Sequence, residues 1–295
     1  MKKVAFVIYR AWAYEIFKNI VAFQKENPNF VIGALITSPK AEFKTDDIKD
    51  FKNIFIIENE NDNDKMNLIL SENKIDVVFY YGWSWFVKEP ILSNFVCLCL
   101  HPSALPKYRG GSPIQNQIIA GETNSAISLF KMTEGVDDGD IYRQIPMDLS
   151  GDLNDIFHQM TVLGTQATKE FISDLIENKV VFVPQPNLEN NPPLKRRSQK
   201  QSEVVLENAS SMPFVLLYNM VRSLLDPYPN VFINFLNGKL TIQEIKQIEN
   251  IPSERIILNE PLIKEFDSNI SNIYLKLKDC YVQISKFNFQ TNIPQ

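Results

Sequence analysis

An α/β fold with a mainly parallel sheet, followed by a smaller β-rich domain, is what this sequence predicts. Three observations carry the prediction. Short apolar, β-branched runs alternate with helical spacing through the first part of the chain, the pattern of strands joined by crossover helices. A proline-rich, aperiodic stretch at residues 178–202 interrupts that pattern and has linker composition. Beyond it come a short helix, paired strand runs and a hairpin signal. A chain of 295 residues matches about two domains of roughly 150 residues each. A boundary near residue 200 therefore separates a larger first domain (1–200) from a small C-terminal β-rich domain (201–295).

Each element follows from its residues. Residues 4–8 are a short apolar run; Trp12, Ile16, Ile20 and Phe23 recur at helical spacing; residues 30–37 are again apolar and β-branched. Residues 54–57 and 77–81 supply further strands, with a helix near 66–70 between them and a solvated loop over 58–65. Residues 95–100 form the strand that delivers His101. Such alternation builds a Rossmann-like sheet, where ligands gather beyond the carboxyl ends of the strands. Gly110 and Gly111 permit a tight turn, after which Ser112 caps a helix that begins with Pro113, whose missing N–H would be unpaired there anyway. Residues 126–132 and 141–145 read as a strand pair joined by the Asp137 loop. From Leu153, apolar residues at three- and four-residue spacing, with Asp152 as cap, predict a long amphipathic helix. In the second domain residues 214–225 are helical, Asn237-Gly238 is a type I′ hairpin signal, and residues 274–277 and 281–284 give more strands.

Composition narrows the functional classes. A hydrophobic content of 44% with 10 glycines describes an ordinary globular core. The net charge of −5 argues against broad attraction to nucleic acid, which depends on many Lys/Arg contacts to phosphate. Lys195-Arg196-Arg197 is a local exception, read as a solvated linker face. The start of the chain lacks the apolar length of a signal peptide or membrane span, so a cytoplasmic protein without membrane contact is expected. Cys97, Cys99 and Cys280 are an odd set, with the first two alternating on one strand, so free thiols are expected.

Chemistry concentrates around one of the two histidines. Residues 99–109 read C-L-H-P-S-A-L-P-K-Y-R, and Asp137 follows in M-T-E-G-V-D-D-G-D. A histidine at a strand end with an acid arriving from elsewhere has the parts of a proton-transfer pair, in which the acid fixes the tautomer. Cys97, Cys99 and His101 share a strand face, but steps of ~6 to 7 Å spread them too far to chelate one ion, so no metal is expected.

These residues resemble the formyltransferase family that uses 10-formyltetrahydrofolate, whose members share N-x-H-P-S-x-L-P-x-x-R-G and, downstream, D-x-G-D-I. The matching residues are His101-Pro102-Ser103, Leu105-Pro106, Arg109-Gly110, then Asp137, Gly139, Asp140 and Ile141. The run at residues 107–122, K-Y-R-G-G-S-P-I-Q-N-Q-I-I-A-G-E, is closer to the branch acting on nucleotide-linked amino sugars than to the initiator-tRNA branch. The family's active-site asparagine position is Cys99 here.

The resemblance implies an N-formyltransferase moving a formyl group from 10-formyltetrahydrofolate to an amino deoxysugar, with His101, Asp137 and Cys99 at the reacting centre. It places the folate against Tyr81, Gly82, Trp83, Trp85 and Asp137. For the acceptor it points to Ser103, Lys107, Tyr108, Arg109, Gly110, Gly111 and, through an Asp226-Pro-Tyr-Pro segment, Tyr228. Arg109 serves equally as an anion ligand or as a brace of the turn. A hydrolase releasing formate from the same folate, and a non-catalytic folate or nucleotide-binding module motivated by Cys99, are the alternatives. The sequence leaves a homodimer open.

Overall fold

The computed structural model describes residues 1–46, 51–249, 256–267, 269 and 272–292. Its contacts divide the chain into two compact units: residues 1–113, 124–148 and 154–194 form the first, and residues 114–123, 149–153 and 195–295 the second.

The strands of the first unit are β1 (Lys2–Ile8), β2 (Phe30–Thr37), β3 (Ile54–Ile56), β4 (Val77–Tyr81), β5 (Val96–His101), β6 (Asn124–Lys131) and β7 (Ile141–Asp148). They form one sheet in the order β3-β2-β1-β4-β5-β6-β7. The first five run parallel, and β6 and β7 are antiparallel additions. Between the strands run α1 (Ala11–Glu26), α2 (Asn63–Glu72), α3 (Ile91–Asn94) and α4 (Pro113–Ile119), and α5 (Leu153–Ile176) follows the sheet. Parallel strands are covered on both faces, which is why β1, β2 and β4 read as unbroken apolar runs.

On one face, Phe6, Phe17, Phe79 and Phe171 are fully buried, with Phe6 stacked on Phe79 at 4.9 Å and Phe171 edge-on to Phe79 at 5.8 Å. Burial of each such ring contributes about 2 kcal/mol. Gly164 of α5 allows close approach, since a Cβ there would stand 2.6 Å from Ile16 Cδ1 and 2.7 Å from Leu100 Cδ2. The opposite face packs Ala5, Val7, Val78, Tyr80 and Cys97 against Met66, Ile69, Leu70 and Ile91.

Three local readings need correction in these two units. Residues 58–65 are not all solvated: Asp62 caps α2 by accepting from the Lys65 amide, and Glu60 is buried and paired with Lys40 at 3.0 Å. The segment at 178–194 is not a free linker but is bonded along the first unit, with Val183 and Ile141 exchanging two backbone hydrogen bonds of 2.8 Å. The hairpin turn is Leu236-Asn237, one residue earlier than expected, because Phe235 pairs with Gly238. Gly238 lies inside its strand, where a Cβ would meet Gln290 O at 2.3 Å.

The second unit contains α6 (Leu206–Ala209), α7 (Phe214–Ser223), β8 (Val231–Phe235), β9 (Gly238–Ile248), β10 (Ile256–Ile257), β11 (Ile273–Lys276) and β12 (Tyr281–Thr291). Its sheet has the order β10-β11-β12-β9-β8. Leu217, Val231, Ile233, Leu240, Ile242 and Val282 form its core, with Ile119 packed against it. Arg222 donates to the carbonyls of Leu149 and Gly151, which joins the segment 149–153 to this unit, as Ile119 joins 114–123. Among the described residues, no helix is long and apolar enough to cross a membrane.

Candidate active site

The candidate centre is built on β5. His101 pairs with Ser128 of β6, and Leu98 pairs with Lys131, so β6 ends three residues before His101, ~10 Å back along β5. The loop after β6 therefore leaves from the wrong end of the strand. It doubles back: the Met132 amide bonds the Cys97 carbonyl at 2.8 Å, yet Asp137 Oδ2 stands 3.3 Å from His101 Nδ1. Asp137 has φ 48°, in the left-handed region that few residues other than glycine enter. The same Oδ2 accepts the Gly110 amide at 2.8 Å.

His101 is buried, and its second nitrogen, Nε2, faces the Tyr108 carbonyl at 3.0 Å. Both ring nitrogens thus meet oxygen acceptors. A neutral imidazole donates to one of them and an imidazolium to both, so the two acceptors match the donors of a protonated ring.

A brace surrounds this pair. Arg109 is buried, its Nε donating to the Asn191 carbonyl at 2.9 Å and its terminal nitrogens to Val136 and Leu188 carbonyls at 3.1 and 3.4 Å. Leu194 bonds the Arg109 carbonyl through its amide at 2.7 Å and accepts the Gly111 amide at 2.8 Å. Gln185 Nε2 donates to the carbonyls of Asp137 at 3.0 Å and Gly139 at 2.7 Å. Ser103 is fully buried, with its hydroxyl on the Lys107 carbonyl at 2.6 Å. Ser103, Arg109, Gly110 and Gly111, expected to meet the acceptor, therefore spend these donors inside the protein. Lys107 is exposed and Tyr108 half-buried.

The aromatic group after β4 divides in two. Tyr81, expected against the folate, is a core residue instead: it is fully buried and its hydroxyl bonds Thr168 Oγ1 at 2.8 Å. Trp83 and Trp85 are half-buried, 4.9 Å apart, and Tyr9 joins them at 6.2 and 5.0 Å. The Tyr9 hydroxyl is tied to Ser84 Oγ at 2.6 Å. Trp83 Nε1 is buried without a hydrogen-bond partner among the described residues. Gly82 has φ 67°, and a Cβ there would stand 2.6 Å from Arg10 Cγ, so the turn into this group requires glycine.

Cys99 lies on the β5 face swept by the Asp137 loop, two residues before His101. Burial, and then the Asp137 carboxylate, push its thiol well above the ordinary range. A protonated thiol is a weak donor and a poor nucleophile, so Cys99 suits a weak contact to an oxygen rather than covalent catalysis. Tyr228 belongs to the second unit, half-buried in the turn before β8.

Sequence reasoning missed Gln185, Leu194 and Tyr9. Gln185 sits between Pro184 and Pro186 in an aperiodic stretch, where only its being the polar side chain in P-Q-P could have drawn notice. Tyr9 follows β1 directly, at the carboxyl end of a parallel strand, and that position is a usable signal.

Residues 20–163 match the family described as formyl transferase. The methionyl-tRNA formyltransferase of Campylobacter jejuni subsp. doylei is 30% identical over 266 residues, covering 84% of this chain and 82% of the relative. That of Thermosipho africanus is 30% identical over 174 residues; there the match spans 58% of this chain and about half, 54%, of the relative. Among solved structures, a 4-N formyltransferase from Francisella tularensis superimposes with a TM-score of 0.64 at 18% identity, covering 79% of this chain and 92% of that one. With a relative of this identity matched over most of both sequences, the chain belongs to the formyl transferase family.

Proposed function

We propose that this protein is an N-formyltransferase that moves a formyl group from 10-formyltetrahydrofolate to the amine of a nucleotide-linked amino deoxysugar. The observation that carries the chemistry is the His101–Asp137 pair, 3.3 Å apart and held on the face of β5 beside Cys99. The neutral amine attacks the formyl carbon, a tetrahedral oxyanion forms, and the bond to the folate nitrogen breaks as that nitrogen takes a proton. His101 takes the proton that the attacking amine loses and returns it to the departing folate nitrogen, while Asp137 orients the ring and balances its charge, a partnership that contributes about 10² to 10⁴ in rate. The Cys99 thiol contributes little to the oxyanion, so backbone amides or His101 itself stabilise it. The half-buried indoles of Trp83 and Trp85, 4.9 Å apart and inclined at 58°, offer the pterin an apolar wall on the exposed face of either ring.

The sugar acceptor is supported by the residue 107–122 run and by the net charge of −5. A second reading, formylation of methionyl-tRNA, is favoured by the identity to relatives of that name. Incubation with 10-formyltetrahydrofolate and, in parallel, a panel of nucleotide-linked amino sugars or charged initiator tRNA separates the two. The proposal expects sugar formylation; product on tRNA alone, or formate without any amine, replaces it. Binding without turnover, with turnover restored by Cys99→Asn, identifies a binding module instead.

A further inference from the structure

We propose that Gln185 is a positioning residue that sets the direction of the Asp137 carboxylate and so the geometry of the His101–Asp137 pair. This rests on the reading of that pair as the proton-transfer centre. Gln185 is 8% exposed and lies 48 residues downstream of Asp137, in the proline-rich segment beyond α5. Its Nε2 donates to two carbonyls of the doubled-back loop, those of Asp137 at 3.0 Å and Gly139 at 2.7 Å. Two oxygen acceptors on one atom fix which end of the amide faces the loop, because only the NH₂ group has two hydrogens to give. The other end, Oε1, is buried without a partner among the described residues. An orphaned acceptor is unfavourable, and it is offset here by what the NH₂ group holds.

What it holds is a strained residue. Asp137 has φ 48°, and its carboxylate must reach both His101 Nδ1 and the Gly110 amide. Holding the Asp137 carbonyl fixes the peptide plane after Asp137 and leaves only rotation about its Cα–C bond to redirect Cβ, a freedom that the second grip, on the Gly139 carbonyl, narrows. Gln185 is itself anchored, because Val183, two residues earlier, exchanges both backbone hydrogen bonds with Ile141. The anchor and the gripped carbonyls lie on one continuous path from strand to site. Gln185 touches no reacting atom; it acts through Asp137.

The test uses the full chain carrying Gln185→Leu and, as a partner of nearly identical shape, Gln185→Glu, which presents oxygens to both carbonyls and loses every donor. Two readouts are taken: steady-state formyl transfer, and exchange of individual backbone amides by NMR. The expected result is a fall in kcat of about 10- to 100-fold, the range produced by misplacement of about 1 Å, with the donor KM within about twofold. The Gly110 amide, bonded to Asp137, exchanges about tenfold faster, the factor that one hydrogen bond of ordinary worth supplies. The Leu194 amide, bonded to the Arg109 carbonyl, keeps its protection and reports an intact brace. Unchanged Gly110 exchange, or equal loss of protection at Gly110 and Leu194, overturns the positioning role. If wild-type protein transfers no formyl group, the catalytic reading fails by itself, and Gly110 exchange still decides whether Gln185 positions Asp137.

Discussion

Leu194 lies beside Gly110 as a parallel bridge partner, so the segment beyond α5 is fastened to the turn that follows His101. The fit depends on a missing side chain. Gly110 has φ 90°, and a Cβ there would stand 2.4 Å from the Leu194 carbonyl oxygen. Gly110→Ala should therefore destabilise the protein by about 1–3 kcal/mol through strain alone. Release of the segment should accelerate exchange of the Gly111 and Leu194 amides, and urea unfolding together with amide exchange measures both effects.

Removing either member of the central pair tests the proposed mechanism. His101→Ala and Asp137→Asn should each lower kcat by about 10² to 10⁴ with little change in melting temperature. Their double variant should lose far less than the product of the single losses, because the two groups act as one unit. Steady-state kinetics of the three variants measures the coupling, and full additivity refutes the pairing.

Arg109 separates a brace from an acceptor ligand. Arg109→Lys keeps the charge but replaces a three-nitrogen fork, which reaches three separate carbonyls, with a single ammonium. The expected outcome is a stability loss of about 2–3 kcal/mol, the worth of one or two hydrogen bonds made by a charged donor, with the acceptor KM hardly altered. A stable variant with a large rise in acceptor KM would place the guanidinium on the substrate.

Legibility varied along the chain for physical reasons. β2 and β4 follow directly from apolar runs that only a strand buried on both faces supports. His101 and Asp137 were readable because their neighbours form a recognisable segment around each. Arg109 was readable as an anion ligand or a brace but not as one over the other, since its three acceptors are backbone carbonyls, identical in every residue type. Gln185 and Leu194 lie in a stretch without periodicity, where proline suggests a linker and the bonds that fasten it leave no pattern. The turn at Leu236-Asn237 was misread by one residue because Gly238 serves close packing against β12 rather than a left-handed turn.

The two thiols of β5 give a pH dependence. Burial, then Glu89, push Cys97 up to about 12, and burial, then Asp137, push Cys99 well above its ordinary value. An unfolded thiol ionises near ~8.5. Since the folded values are the higher ones, the contribution to stability is complete below that pH and is lost progressively as pH rises from there up to the folded values. The slope approaches roughly 1.4 kcal/mol per pH unit for each thiol. Urea unfolding between about pH 8 and about pH 10.5 should show this decline, and a Cys97→Ala/Cys99→Ala chain should show a shallower one; equal slopes would mean that the thiols do not cause it.

The loop that carries Asp137 starts at one end of β5 and delivers its carboxylate at the other, which makes its length a ruler. Deleting a residue between Met132 and Asp137 would draw the acid back by about 3.3 Å toward Cys99, and adding one would carry it the same distance past the imidazole. New specificities on this scaffold must therefore be grafted elsewhere, because this span has no slack to give.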